Sequence, residues 1–391
     1  REDFLQSVSW LSSLTVRATY GINGNISSSA LPYDQIYLIT SAYAPPYDPY
    51  AGFLAPANPT LRWEQTGVYN AGIDFALFNN RLNGTLEYYY KKGTDLFALF
   101  PIDNTLGFDN LTRNTSSLSG KGIDIGIGGV MMRRKDFEWS ARFNFSYNTN
   151  KVTDARYNVT NSLLQSAGMS GGPIKGYPTD YLFVFRYAGL DKNGSPLILG
   201  AKGDTLSIYQ SVTSIDALKL AGRITPEYYG SLATTLKYKG LSLYIMATYK
   251  MGYVFQRPVP TDYPGRYGLT VLDYIDITAD RWRKPGDEAS TNVPGITGNS
   301  GTGLVRFANA DINVLPGDHI RLREVSLTYD VPVSAFRRLP VKGLSVSAAG
   351  RNLAMIWAKN DLGYDPDFPP SIRNLKVPPS ASYSFSLNVR F

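Results

Sequence analysis

The stretch SYSFSLNVRF, residues 382–391, sets Tyr383, Phe385, Leu387, Val389 and Phe391 in alternation with Ser382, Ser384, Ser386, Asn388 and Arg390. Side chains two apart on a strand point the same way, so this segment has one apolar side and one hydrophilic side. What the apolar side rests on decides the fold.

The same two-residue period recurs upstream. In 67–78, Tyr69, Ala71, Ile73, Phe75 and Leu77 share a face opposite Asn70, Gly72 and Asp74, and a turn at Asn79-Asn80 leads into 81–92, where Leu82, Leu86, Tyr88 and Tyr90 oppose Arg81, Asn83, Thr85, Glu87 and Lys91. That reads as a β-hairpin. Segments 120–132 and 137–148 form a second, 228–238 and 241–253 a third through Lys239-Gly240, and 320–331 with 344–356 a fourth. With 13–22 and the segment at 382–391, about ten antiparallel strands of ten or more residues each are expected. Globular strands usually run to about 5–6 residues, whereas a tilted strand needs roughly 9–11 to cross a bilayer.

The connections are lopsided. Every second one is short, and the others, 23–66, 93–119, 149–227, 254–319 and 357–379, are long and rich in Gly, Pro, Asn, Asp, Ser and Tyr. Short turns on one rim and long loops on the other describe an outer-membrane β-barrel with periplasmic turns and extracellular loops. A soluble β-sandwich also alternates, but strand length, loop asymmetry and aromatic rings near the strand ends favour the barrel. The expected fold is therefore all-β, an antiparallel transmembrane barrel portion. In such a strand the apolar side faces lipid, the polar side faces a watery lumen, and ladder bonds satisfy the backbone.

Composition agrees. The 391 residues include 28 Tyr and 18 Phe against 6 Met, with 36 Gly and 24 Pro, a balance that favours strands and turns over helices. There is no Cys, which excludes disulfides, thiolate metal sites and a Cys nucleophile. The net charge of +7 is spread without a dense basic block, so nucleic acid is not an expected partner. No apolar run approaches the roughly 20 residues of a membrane-spanning helix. The opening REDFLQSVSW holds neither an initiator Met nor a signal peptide and reads as a mature or truncated start.

Several stretches resemble the SusC/RagA family of TonB-linked outer-membrane transporters: LTVRATYGINGN (14–25), NPTLRWEQTGVYNAGIDFALFNNRLNGTLEYYYKKGTDLF (58–97), GRITPEYYGSLATTLKYKGLSLYIMATYKMGY (222–253), RWRKPGDEA (281–289), GDHIRLREVSLTYDVP (317–332), GRNLAMIW (350–357) and GYDPDF (363–368). They fall in the family's order and cover nearly the whole chain. The resemblance implies a barrel of 22 strands, an N-terminal plug carrying a TonB-contacting segment, a SusD-like surface lipoprotein as lid, and import of glycans or peptides driven through TonB-ExbB-ExbD. It also implies that the alternating aromatics from Tyr383 to Phe391 form the signal read by the outer-membrane assembly machinery. Nothing here reads as the plug, a TonB box or the earlier strands. Residues 1–391 are thus expected to be the C-terminal portion of such a barrel in a Gram-negative outer membrane, with a companion segment closing the sheet.

Candidate cargo contacts are loop aromatics, whose faces stack on sugar rings and peptide side chains: Tyr43, Tyr47, Tyr177, Tyr181, Tyr263, Tyr267 and Trp282. The alternative for each is packing of the loops or contact with the lid. Arg321 and Arg323, counted by strict alternation, fall on the lipid side of their strand and suggest contact with lipopolysaccharide phosphates. RWRKPGDEA reads as a loop-ordering ion-pair cluster. LDKNGSP (190–196) reads as an Asn-Gly turn, since the Glu that would complete a Ca²⁺ loop is missing, and GYDPDFP as a rigid loop. Catalysis has little support: His319 is the only histidine and no G-x-S-x-G elbow occurs. No cofactor or metal is expected. Two other readings stand beside the importer, a structural or docking subunit of a larger envelope assembly and a soluble carbohydrate-binding β-protein.

Overall fold

The two-residue period is realised almost strand for strand. A computed structural model describes residues 8–26, 32–39, 50–108, 110–155, 161–168, 172–257, 259, 280–295, 301–332, 341–369 and 377–391. Ten strands form one antiparallel sheet: β1 (Leu11–Asn25), β2 (Glu64–Leu77), β3 (Leu82–Pro101), β4 (Asn110–Arg133), β5 (Phe137–Ala155), β6 (Tyr228–Tyr238), β7 (Leu241–Met251), β8 (His319–Val331), β9 (Gly343–Ala358) and β10 (Ser382–Arg390). Each pairs with its neighbours in chain order, and β1 and β10 each pair on one side only among the described residues.

Register carries the alternation across the sheet. Val16, Ile73, Leu86, Ile125, Phe145, Gly230, Tyr249 and Ile320 line one row of the apolar face. The adjacent row, Arg17, Gly72, Glu87, Asp124, Ser146, Tyr229, Lys250 and His319, points the other way. Among the described residues no second sheet covers the apolar face; Val16 is 71%, Leu232 52% and Phe385 83% exposed. The sandwich reading therefore falls, because a sandwich would bury these side chains between its sheets.

Aromatic rings collect at two levels of the apolar face. Tyr20, Tyr69 and Tyr90 lie side by side, as do Tyr147 and Tyr228, and Phe137 and Tyr238 pair near the short turns. Tyr228 and Tyr238 bound an 11-residue strand. Its ten steps at about 3.3 Å, tilted by about 40°, span about 25 Å, the height of a lipid-facing band. The turn between β6 and β7 is tight because Lys239 and Gly240 both hold left-handed backbone, φ 47° and 88°, as a two-residue type I′ hairpin requires.

Two expected loops are not loops. Much of 93–119 extends β3 and β4 above the sheet, with irregularities between Gly93, Leu96 and Phe97. Here Leu99 and Phe100 still find partners in Thr112 and Leu111, so the ladder keeps satisfying the backbone. Within 149–227, Tyr181–Phe185 is a strand buried at every residue and paired with Leu218–Arg223.

That strand anchors a cap built from the two longest connections. Leu163, Ala167, Tyr181, Phe183, Phe185, Ile198 and Leu218 make its core. Helices α1 (Asn161–Ser166) and α2 (Gly301–Ala308) flank it. The connections are stitched together by backbone bonds from Phe185 N to the Asn309 oxygen (2.9 Å) and from Gly295 N to the Gly194 oxygen (3.0 Å). Most buried apolar side chains thus lie in the cap rather than on the sheet. A one-layer wall has no interior of its own to fill.

Candidate functional site

The polar face of the wall carries a lane of paired charges. Arg17 on β1 meets Asp74 on β2 at 3.0 Å and also Glu87 on β3, and Thr85 donates to Asp74 at 2.8 Å. Further round, Glu138 lies between Arg133 (2.7 Å) and Lys237 (3.5 Å), Asn144 donates to Ser231 at 2.9 Å, and Arg351 meets Glu324 at 3.2 Å. These groups sit on neighbouring strands because antiparallel register sets same-face partners directly opposite. Both signs alternate along the lane, which suits a wetted passage rather than a site for one charged ligand.

At the rim of the wall, where the connection after β9 folds back on β7 and β8, a denser cluster forms. Asp367 accepts from Lys250 (2.6 Å) and Arg323 (3.2 Å), and lies 3.3 Å from His319 Nε2 and 3.5 Å from Arg321 Nε. Arg321 in turn meets Asp365 at 2.5 Å. Burial alone would raise the Asp367 pKa, but hydrogen bonds from His319 and Lys250, and their charge, hold it well below the usual carboxylate range. Tyr253, whose hydroxyl is 3.3 Å from His319 Nδ1, is pushed well above an ordinary phenol by burial and then by Asp367. A second junction joins Asp180 to Arg223 at 2.9 Å, with Arg223 donating to the Asn148 oxygen at 2.8 Å. Burial raises the Asp180 pKa, yet bonds from Thr225 and Arg223 bring it net below normal. The first cluster pins the connection that follows β9, and the second pins the cap, to the rim of the wall.

This placement corrects the expectation for Arg321 and Arg323. Strict alternation set them with Val325 and Leu327 on the apolar face. The register shifts between Leu322 and Glu324, so an extra residue enters β8 at Arg323 and the faces exchange beyond it. Arg321 pairs across the ladder with Thr248, and Arg323 donates to the Thr248 hydroxyl at 3.1 Å. Both arginines belong to the polar-face cluster, where they bind carboxylates and not lipid phosphate.

Of the aromatic candidates, Tyr43, Tyr47, Tyr263 and Tyr267 lie outside the described residues. Tyr177 is half-buried against Phe183, ring centroids 5.1 Å apart. Tyr181 is buried and its hydroxyl donates to the Gly172 oxygen at 2.7 Å. Trp282 is buried, donates to Glu288 at 3.1 Å and packs over Gly194 and Gly295. These three hold the cap together. The turn of RWRKPGDEA is ordered by its carboxylates: Asp287 accepts from the backbone of Arg283 and Lys284, and Glu288 from Gly286. Asp191 accepts from the backbone of Asn193 and Ser195, the turn expected of LDKNGSP. Among the described residues no group of His, Asp and Glu side chains is placed to hold a metal ion. Tyr383, Phe385, Leu387 and Val389 share the apolar face of β10, and Phe391 follows it, 74% exposed.

Sequence reasoning missed the cap. Its signal was present in YLFVF (181–185), a continuous apolar run that marks a strand buried on both faces.

No family model matches the chain. It is 27% identical to TonB-dependent receptor P26 of Formosa agariphila over 91% of this chain and 37% of that protein. It is 31% identical to TonB-dependent receptor SusC of Bacteroides thetaiotaomicron over 50% of this chain and 21% of SusC. Among solved structures, one chain of the RagAB peptide transporter superposes with a TM-score of 0.72 at 24% identity, covering 98% of this chain and 41% of that one. The chain thus spans about two fifths of the length of the Formosa receptor and of the RagAB chain, and its match to SusC about one fifth of that protein. They are receptors and transporters rather than enzymes.

Proposed function

We propose that this chain, a SusC/RagA-like stretch of β-barrel wall with its cap, is part of an outer-membrane, TonB-dependent importer of large nutrients. The observation that carries the reading is the one-layer sheet: its apolar face lies open between two aromatic bands about 25 Å apart, while its reverse bears paired charges. Such a sheet is stable where hydrocarbon covers one face and water the other. Its free edges at β1 and β10 support a companion segment that completes the barrel and supplies the plug, since an open edge is not tolerated in a bilayer. The exposed alternation from Tyr383 to Phe391 supports β10 as the barrel-assembly signal.

The mechanism is gated passage, not chemistry. Energy coupling through TonB-ExbB-ExbD belongs to the plug, and a SusD-like surface lipoprotein would cover the extracellular rim. The likeness to the RagAB peptide transporter supports peptide cargo, and the resemblance of the sequence motifs to the SusC/RagA family adds oligosaccharides as the other class. The test is twofold. The protein should fractionate with the outer membrane and need detergent for release, and its deletion should abolish growth on one oligosaccharide or oligopeptide while sparing monosaccharides and amino acids. Recovery in the soluble fraction, or unaltered growth on every large nutrient that the strain uses, would refute the reading.

A further inference from the structure

A cavity of about 730 Å³ opens on the apolar face of the wall just beyond the upper tyrosine band. Tyr90, Lys121, Tyr147, Thr149 and Lys151 line it, with Pro178 and Leu220 of the cap overhanging. Its outward placement follows from register. Lys121 pairs with Tyr90 on one side and Thr149 on the other, in line with Tyr69 and Tyr20. Lys151 lies one same-face step further from the short turns, about 6.6 Å, beside Ser119 and Lys92.

The chemistry there is unlike the rest of that face. Lys121 and Lys151 are exposed and have no hydrogen bond or ion pair through their ammonium groups among the described residues. Arg223 also lines the cavity but is held by Asp180 and Asn148, and Glu227 lies 3.8 Å from it. Two unpaired cations therefore stand in the tyrosine row (Lys121) and one step beyond it (Lys151), over the apolar wall of Tyr88 and Ile123. In a bilayer this is the level at which headgroup phosphates sit, with acyl chains running down the wall beneath.

We infer that this cavity is a binding site for the phosphate groups of a phosphorylated glycolipid of the outer leaflet, its acyl chains lying along Tyr88 and Ile123. The inference rests on the outer-membrane reading above. A glycolipid fits better than free phosphate because Tyr90 and Tyr147 of the lining lead down the same face to the apolar wall of Tyr88 and Ile123. Cargo is a poorer occupant, because the cavity lies on the opposite side of the sheet from the paired-charge lane.

The test compares wild type with Lys121→Gln/Lys151→Gln, each extracted from the native membrane in mild detergent, by native mass spectrometry with added lipid A. Binding of bis-phosphorylated lipid A should fall about 25-fold, about fivefold per lysine, as expected for cations beside an anionic lipid surface. Lys121→Arg/Lys151→Arg should retain it, and Lys135→Gln/Lys239→Gln on the short-turn rim should leave it unchanged. Dephosphorylated lipid A should bind wild type as weakly as the double Gln variant binds the phosphorylated form. Equal binding by wild type and the Gln variant, equal binding of dephosphorylated lipid A, or displacement by millimolar inorganic phosphate would overturn the inference. Failure of the importer reading would look different: the wild type itself would not fractionate with the outer membrane.

Discussion

Replacing Asp367 by Asn should loosen the 359–369 connection from the wall without unfolding the wall. The Asp367 side chain is 7% exposed and faces Lys250, His319, Arg321 and Arg323. An amide of equal volume removes the charge and leaves buried donors facing a neutral group. Breaking a buried ion pair from one side costs about 3–5 kcal/mol, and the lower figure applies because Arg321 keeps Asp365 at 2.5 Å. About 3 kcal/mol is a factor of about 150 in a local opening equilibrium. Amide hydrogen exchange reads it at Asp367 N, bonded to Asp365 at 3.0 Å, and at Lys359 N, bonded to the Asp318 oxygen at 2.9 Å. Both should exchange about 150-fold faster, while amides of β6 do not change. Asp361→Asn, at an exposed position of the same loop, is the control. The sign with pH follows from the depressed Asp367 pKa. Its contribution is present above the unfolded carboxylate value of about 3.9 and is lost only as pH falls through the lower folded value. The difference between Asp367→Asn and wild type should therefore be constant from pH 7 to 5. Less than a threefold change in exchange would refute the assignment of this cluster as the anchor of the 359–369 connection.

Two further outcomes test the wall and the cap separately. Leu232→Arg, at the middle of β6 on the apolar face, should cost about 2–4 kcal/mol in unfolding from lipid vesicles, whereas Thr235→Arg on the polar face should cost little; equal losses would mean that the faces are misassigned. Phe185→Ala empties a fully buried site of the cap core and should cost about 3–5 kcal/mol. It should be visible as faster proteolytic nicking between 156 and 227 with the barrel's melting unaltered.

What could be read early was what repeats locally. The ten strands and the faces of Leu86, Ile125, Phe145 and Leu387 follow from alternation over ten or more residues, because a bilayer imposes the same apolar-out rule on every strand it touches. Loop residues answer to no such rule. Tyr181 and Trp282 look alike as exposed aromatics or as core, and only the meeting of two distant connections buries them.

The sequence by itself determined a membrane-facing β wall, since a two-residue period needs no knowledge of what lies across the sheet. Tertiary structure alone decided the face of Arg321 and Arg323 and the partners of Asp367. A single bulge reverses every side chain beyond it, and no local pattern records where the extra residue is inserted.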